Sequence, residues 1–328
     1  MTNVAVTPAP TPAARVKPED FFSPEEWQSL SARSNWMGLL LVAHGWLMIG
    51  AAFAVGLIWP ITIPLAVMVI GNRQLGLFIL MHDAAHGALH ANRRVNDFVG
   101  KWFCGTDLHA YRAYHLQHHR YVQQTDDPDL ILSAPFPITR KSLRRKMVRD
   151  LTGQTFFKQR LGALTAALRA RKPGESLIAV LNAELKRQPH FYLQNALGLL
   201  LFSAAGLWWA WALMWLLPMM TWLPLITRLR NISEHALVAK DEPDPLRHAR
   251  TTHANWLERL FIAPYWVNYH CEHHMFTQIA CWKLPQAHKI LAKNDVTSRM
   301  ELQPGYWAML RLASAAPLPN QRPDSSSR

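Results

Sequence analysis

The hydrophobic residues of this chain are concentrated in three long runs. The first covers 23 uncharged residues from Met37 to Trp59, and the second follows Pro60 from Ile61 to Met81. A helix of about 20 apolar residues crosses the roughly 30 Å hydrocarbon core of a bilayer. The two runs therefore predict a hairpin of membrane-spanning helices at residues 37–59 and 61–81. Polar residues interrupt the second run at Asn72–Gln74, and at membrane depth such groups usually face protein or water.

The third run extends over 36 uncharged residues from Phe191 to Ile226. As one helix, with a rise of about 1.5 Å per residue, it would be far longer than the hydrocarbon core is thick. Two antiparallel spans, at about 191–209 and 212–226, fit the run better. Trp208, Trp209 and Trp211 lie near its middle, where interfacial aromatic residues are expected if the chain turns at the far membrane surface.

The lysines and arginines indicate how these spans are oriented. Three precede the first span, 18 lie between His82 and His190, 13 follow Ile226, and only Arg73 lies inside a span. Since positively charged loops remain in the cytoplasm, both termini and the middle segment are predicted to be cytoplasmic. The membrane is most simply the cytoplasmic (inner) membrane. This topology also accounts for the net charge of +13 without a nucleic-acid partner.

Composition agrees with a membrane protein, because half of the 328 residues are hydrophobic, 14 are Trp and only 17% are charged. The fold class predicted is all-α and integral to the membrane, with four transmembrane helices in two hairpins and a cytoplasmic helical cap. Residues 35–312 are expected to form a single domain. Residues 1–34 are expected to form a partly disordered tail and residues 313–328 a disordered one, because both contain segments rich in Pro with Ala, Thr or Ser.

Nine of the 16 histidines fall in four short clusters that the predicted topology places on the cytoplasmic side. The clusters comprise His82 and His86; His115, His118 and His119; His235; and His270, His273 and His274. Residues four apart on a helix share one face, so the side chains within a cluster can converge. If 191–226 were a single span, His235 and the last cluster would lie across the membrane from the others. The convergence of the histidines therefore favours two hairpins.

Nine imidazoles exceed the needs of one metal ion, so they point to two. Imidazole binds Zn, Cu, Fe and Ni, and the ligand type alone does not name the metal. Structural zinc usually takes four ligands and often cysteine, of which this chain has only three.

Several acidic residues lie close to these histidines in the sequence. Asp83, Glu234 and Glu272 each adjoin a candidate ligand, and a neighbouring residue on a helix points about 100° away. We therefore expect them to hydrogen-bond a ligand from another helix and not to bind the metal beside their own histidine. Asp127 belongs to an Asp-rich segment around a proline. This pattern predicts a turn that is capped by the aspartate carboxylates. His288 has no ligand-like spacing and is interpreted as an ordinary residue.

At three of the clusters the sequence resembles the membrane fatty acid desaturase and hydroxylase superfamily. The matching motifs are the segments His82–Gly87 (HDAAHG), His115–His119 (HLQHH) and His270–His274 (HCEHH). Their order and wide separation also match, and the resemblance covers roughly residues 82–276 with the flanking spans.

This resemblance implies two non-haem irons near the membrane surface, ligated by all nine histidines of the four clusters. Asn231, one helical turn before His235, looks like an asparagine that some members place near one iron through water; a polar helix-end residue is the other interpretation. The implied activity is O2-dependent introduction of a double bond into a fatty acyl chain. Electrons are expected from a separate ferredoxin, rubredoxin or cytochrome b5, because no haem-binding His-Pro-Gly-Gly motif occurs in the chain.

Two alternatives remain open at this point. The first keeps the metals but changes the reaction, to a hydroxylase or ketolase that acts on a carotenoid, sterol or alkane. The second is a histidine-rich metal transporter or metal-binding membrane protein without redox chemistry. A transporter should carry ligands inside its spans, whereas these clusters lie outside them, so the second alternative is disfavoured.

Overall fold

The structure, a computed structural model, describes residues 11–105, 107–172 and 174–315. Residues 1–10 and 316–328 of the two predicted tails lie outside the described residues. In the rest of the first tail, helix α1 (Pro24–Ser31) begins with a capping box formed by Ser23 and Glu26. The rings of Phe22 and Trp27 pack against Phe276, so this part of the tail is ordered against the body of the protein.

The first hairpin consists of α2 (Met37–Ile58), a 3-10 turn at Pro60–Thr62, and α3 (Ile63–Ala85). Both of its arms are long and apolar enough to cross a membrane. The two helices approach closely at Gly45, where an added Cβ would lie 3.1 Å from the Leu77 side chain. The α3 helix continues four residues past the predicted end of the span at Met81 and is buried almost throughout from Ile70 to Ala85. It thereby extends beyond the predicted span.

The second apolar region begins with α10 (Pro189–Ala204), turns at residues 205–207, and continues as one helical segment, Trp208–His235. That segment comprises α11 (Trp208–Trp211), a π-helical turn (Ala212–Leu216), α12 (Leu217–Met220) and α13 (Trp222–His235). The turn lies a few residues before the predicted one, because Gly206 adopts a φ of 72° that favours glycine. The tryptophans expected at the turn instead begin the next helix.

Within the described residues, three helical segments are thus long and apolar enough to span a membrane, and α10 is shorter. Its 16 residues extend over about 24 Å, less than the roughly 30 Å hydrocarbon core. The two apolar regions are packed together by a stack of Trp46, Trp215 and Trp211. The side chain of Gln74 also donates a 3.0 Å hydrogen bond to the carbonyl of Trp215, which accounts for one polar residue of the interrupted span.

The shorter helices of the described residues, apart from α1 and the two apolar regions, are together called the cap. They are α4 (Arg93–Phe103), α5 (Leu108–Arg120), α6 (Leu130–Ser133), α7 (Arg140–Leu151), α8 (Gln154–Arg169), α9 (Leu177–Arg187), α14 (Trp256–Phe261), α15 (His270–Met275), α16 (Leu284–Lys293) and α17 (Tyr306–Ala313). Two three-residue strands, β1 (Arg250–Thr252) and β2 (Glu301–Gln303), pair in parallel with Arg250 opposite Glu301. The predicted helical membrane protein is confirmed to this extent.

The largest hydrophobic core joins α3 to the cap. Leu80 and Ala84 of α3 are buried in it with Leu108 of α5, Cys271 of α15 and Leu291 of α16. Each of these side chains is almost completely shielded from solvent. The packing fixes the end of α3 against α5 and α15, the three elements that carry most of the clustered histidines.

Candidate metal centre

All nine clustered histidines lie where the ends of α3 and α13 meet α5 and α15. His82 is in the last turn of α3 and His86 caps that helix, while His235 is the last residue of α13. Asp107 is the N-cap of helix α5, and its carboxylate accepts hydrogen bonds from the amides of His109 and Ala110. The predicted helical placement of the clusters is therefore what the structure contains.

The histidines form two adjacent groups, within each of which the candidate ligand atoms lie within 4.8 Å of one another. The five-histidine group comprises His82, His86, His115, His119 and His273, and the four-histidine group comprises His118, His235, His270 and His274. Each group therefore draws on three elements of the fold, so the centre depends on the tertiary structure.

Helical geometry explains how one sequence cluster supplies both groups. On α5, His115 and His119 are four residues apart and point in nearly the same direction, whereas His118 is rotated about 100° from His119. On α15 the arrangement is reversed, since the pair four residues apart, His270 and His274, serves the four-histidine group. The remaining histidine of each triplet, His118 on α5 and His273 on α15, belongs to the other group.

The ring nitrogens approach one another at distances that suit a shared ion. In the five-histidine group, Nε2 of His119 lies 2.9 Å from Nε2 of His115 and 3.0 Å from Nε2 of His273. In the other, Nε2 of His270 lies 2.9 Å from Nε2 of His235 and 3.1 Å from Nε2 of His274. Two nitrogens bound at right angles to one ion at about 2.1 Å would be about 3 Å apart.

Several ring nitrogens of the two groups have no hydrogen-bond partner among the residues that the structure describes. Both ring nitrogens of His82 and Nε2 of His86 are buried and unpaired, as is Nδ1 of His235. An unsatisfied buried polar atom is costly, and a metal ion would satisfy those that face the groups. The donor set therefore fits two metal ions bound by imidazole.

Burial favours the neutral form of six of the clustered imidazoles outside the membrane-spanning segments. It lowers the pKa of His86, His115 and His119 well below the ordinary value, and nearby histidines lower it further. The same causes lower the pKa of His270, His273 and His274. Since neutral imidazole is the form that binds a metal, the environment favours ligation before any ion arrives.

Buried carboxylates lie beside the four-histidine group. Asp127 accepts from Nδ1 of His118 at 2.7 Å, which directs Nε2 of that ring towards the group. Glu234 lies 3.5 Å from Nε2 of His270, on a different helix, and is also held by Arg230 at 2.6 Å. Glu234 thus lies near a candidate ligand from another helix, and the expected hydrogen bond between the two stays a prediction.

The other two neighbouring acids behave differently. Asp83 accepts from the backbone amide of Cys281 at 2.8 Å and lies 3.6 Å from Nδ1 of His82, beyond hydrogen-bond distance. Glu272 pairs with Nδ1 of His288 at 2.5 Å and with the hydroxyl of Thr251. The hydrogen bond expected from Glu272 to a ligand thus goes instead to His288, which sequence reasoning had treated as an ordinary residue.

The turn cap predicted for Asp127 is only one of its two contacts. Asp127 does cap its turn, accepting from the amides of Gln123 and Asp129, but the same carboxylate also bonds His118. No fixed spacing from the second histidine cluster identifies Asp127 as a partner of His118. The two residues are nine apart, which is short enough for a local turn to bring them together. Asn231 is half-buried on α13, one turn before His235, and its water-mediated role stays a prediction.

Comparison with known proteins bears on this centre. The family model for fatty acid desaturases matches residues 57–305, which include all nine histidines. The chain is 29% identical to the dihydrorhizobitoxine desaturase of Bradyrhizobium elkanii over 270 residues, 78% of this chain and 75% of the relative. It is also 29% identical to the sn-1 oleoyl-lipid 12-desaturase of Anabaena variabilis over 108 residues, 32% of this chain and 30% of that protein.

Proposed function

Because this chain belongs to the fatty acid desaturase family, we propose that it uses O2 to introduce a double bond into a fatty acyl chain. Two iron ions would be held by the nine histidines, five in one group and four in the other, with Asn231 near the second ion through water. The observation that carries the proposal is the convergence of four sequence clusters into two adjacent groups of imidazoles. When bound, the irons would supply the O2 activation needed to remove hydrogen from a C–H bond.

The protein itself would position the ligands and exclude water. Asp127 fixes the ring orientation and tautomer of His118, and Glu234, held by Arg230, lies beside His270. Burial of seven of the nine histidines, all except the half-buried His86 and His274, keeps solvent away from the reacting centre. Such neighbours typically change metal affinity or activity by about 10- to 100-fold when they are removed.

The membrane arrangement that suits this function has four spans, with α10 as the short fourth one. The three long apolar helices support insertion in a membrane, and the distribution of Lys and Arg supports a cytoplasmic cap in the cytoplasmic (inner) membrane. The centre would then lie near the surface of that leaflet, where an acyl chain can reach it. A separate ferredoxin, rubredoxin or cytochrome b5 would supply electrons and could be attracted by the basic cap.

A hydroxylase or ketolase would use the same ligand groups and remains the second candidate. The names of both relatives favour desaturation, although one is named for dihydrorhizobitoxine and the other for an oleoyl lipid. Metal transport is less favoured, because the two groups lie at the ends of the long helices and in the cap.

The experiment compares the wild-type chain with His118→Ala and His109→Ala, expressed in a bacterial host with a ferredoxin and its reductase. His118 is buried in the four-histidine group, whereas His109 is exposed on the same helix. We expect two irons per chain and new unsaturated acyl chains in the wild type and in His109→Ala, and loss of product in His118→Ala. Products carrying added oxygen would select the hydroxylase, and an iron-free wild-type protein would overturn the proposal.

A further inference from the structure

A cavity of about 320 Å³ opens beside the first hairpin, and none of the nine clustered histidines lines it. Its walls are mostly apolar and come from α2, α3 and the chain from α14 onwards. The lining residues that matter here are Leu41, His44, Arg73, Arg259, Tyr265 and Trp266. A largely apolar cavity with a few convergent polar groups is the usual form of a small-ligand site.

Tyr265 forms a fixed wall of this cavity. Its hydroxyl donates to the carbonyl of Leu41 at 2.9 Å and lies 3.0 Å from Nδ1 of His44. Its ring fits only because Gly76 has no side chain, since a Cβ there would lie 2.7 Å from the ring. Tyr265 and Trp266 both have positive φ angles, 49° and 56°, which are strained for such residues. Strained backbone of this kind is often found at functional sites.

Arg73 supplies a buried positive charge to the cavity. The residue is only 6% exposed, and its Nε has no hydrogen-bond partner in residues 11–105, 107–172 and 174–315. The guanidinium lies 5.2 Å from the centre of the Tyr265 ring and donates to the side chain of Asn72. Within the described part of the chain, no carboxylate lies at ion-pairing distance from it. An uncompensated charge inside a membrane-spanning helix is costly, so a bound anion would reduce the free-energy cost of burying Arg73.

The position of the cavity in the bilayer indicates where such an anion comes from. Arg73 precedes His82 on α3 by nine residues, or about 14 Å along the helix. Its long side chain brings the charge level with Leu41 and His44, in the first two turns of α2 on the histidine side. Long cationic side chains commonly reach towards the membrane surface in this way. The exposed Arg259 adds a second guanidinium to the cavity lining.

We propose that this cavity binds the anionic head group, carboxylate or phosphate, of an amphiphile in the leaflet on the histidine side. Arg73 is the main anchor and Arg259 an outer one. The proposal rests on the proposed function in identifying that amphiphile as the lipid substrate. Held there, its acidic end would fix which carbon of the chain reaches the metal centre, so Arg73 would determine specificity.

The test measures binding to the iron-loaded protein in nanodiscs of neutral lipid, with empty nanodiscs subtracted. The probes are radiolabelled stearate, stearyl alcohol and stearoyl lysophosphatidate. The variants are Arg73→Met, which removes the charge but keeps an apolar chain, Arg73→Lys, and the control Arg94→Gln, at an exposed arginine of α4. We expect the wild type and Arg94→Gln to prefer an anionic probe over the alcohol by about tenfold or more. Arg73→Met should lose that preference, and Arg73→Lys should keep part of it.

Each outcome decides the matter. A preference for stearate identifies the carboxylate as the ligand, and a preference for lysophosphatidate identifies the phosphate. Equal binding of acid and alcohol by the wild type, or an unchanged preference in Arg73→Met, would overturn the proposal. Without any probe, Arg73→Met should melt no lower than the wild type, because it removes an unpaired buried charge. A lower melting temperature together with no head-group preference in the wild type would mean that Arg73 is only structural.

This test is separate from that of the proposed reaction. If the wild-type protein forms unsaturated product but Arg73→Met keeps its head-group preference, only the anion site is overturned. If the wild type binds the acid through Arg73 but forms no product, only the reaction is overturned.

Discussion

The five-histidine and four-histidine groups lie side by side, yet their surroundings differ. The four-histidine group has Asp127 bonded to His118 and Glu234 beside His270. Next to the five-histidine group, Asp83 stays 3.6 Å from His82 and bonds a backbone amide instead. One group therefore has an additional neutral ligand, and the other has negative charge close to its ligands. The comparison teaches that two neighbouring groups of imidazoles can have different surroundings, and individual substitutions can separate the effects of those surroundings.

The largest effect is expected from substituting the neighbours His273 and His274, which are adjacent in sequence but belong to different groups. His273→Ala should weaken the ion of the five-histidine group, and His274→Ala that of the four-histidine group. Because a ligand is removed in each case, we expect product formation to fall by more than about 100-fold in both. Iron content per chain and Mössbauer spectra would show whether a different iron is lost. Identical spectra for the two variants would contradict the division into two groups.

An intermediate effect is expected from Asp127→Asn, because an amide can still cap the turn but no longer provides the charge beside His118. Iron affinity of the four-histidine group should fall by about 10- to 100-fold, and the five-histidine group should be unaffected. Asp126→Asn is the matched control, since Asp126 is exposed and adjacent. Iron retention during titration with a chelator measures the effect. Equal retention in the two variants would mean that Asp127 serves only the turn.

The smallest effect concerns the stability of the iron-free protein as a function of pH. Burial lowers the pKa of six of the nine histidines, four in the five-histidine group and two in the other, below the ordinary value. Below about pH 6.5 the unfolded chain takes up protons that the folded chain resists. Above about pH 6.5 these histidines therefore do not reduce the free energy of unfolding. As the pH falls further, protonation of the unfolded chain lowers it.

The measurement is the thermal unfolding of the iron-free protein in detergent between pH 7.5 and 5. The transition should move to lower temperature below about pH 6.5, and the movement should be smaller for His115→Gln than for the wild type. Iron-loaded protein should resist the change until the pH is low enough to release the metal. A transition temperature that rises on acidification would contradict the assigned neutral state.

Prediction from the sequence was strong where a local rule applied. The four-residue spacing placed His115 with His119 on one face of α5 and His270 with His274 on one face of α15, and the long apolar runs located three candidate membrane helices. It was weaker where a single residue decides a local conformation. Gly206, with its left-handed backbone, ends α10 earlier than the tryptophans suggested, because interfacial preference says where a turn is favoured and not which residue can make it.

Local rules of this kind do not predict the contacts of Asp127 with His118 and of His288 with Glu272. A hydrogen bond between Asp127 and His118 depends on how the chain folds back after α5. The pair formed by Glu272 and His288 joins α15 to α16. Neither geometry follows from spacing along the sequence, since the ends of separate elements must first be packed against each other.

The sequence by itself determined that the chain is helical, that it contains long apolar segments, and that its histidines are grouped in family motifs. These are properties of periodicity and of residues close in the chain. Only the tertiary structure decided that α5 and α15 each divide their histidines between two groups, that a carboxylate supports one group, and that Arg73 is left unpaired beside Tyr265. The physical reason is that ligation, charge pairing and burial depend on distances of a few ångströms between segments far apart in sequence, and packing sets those distances.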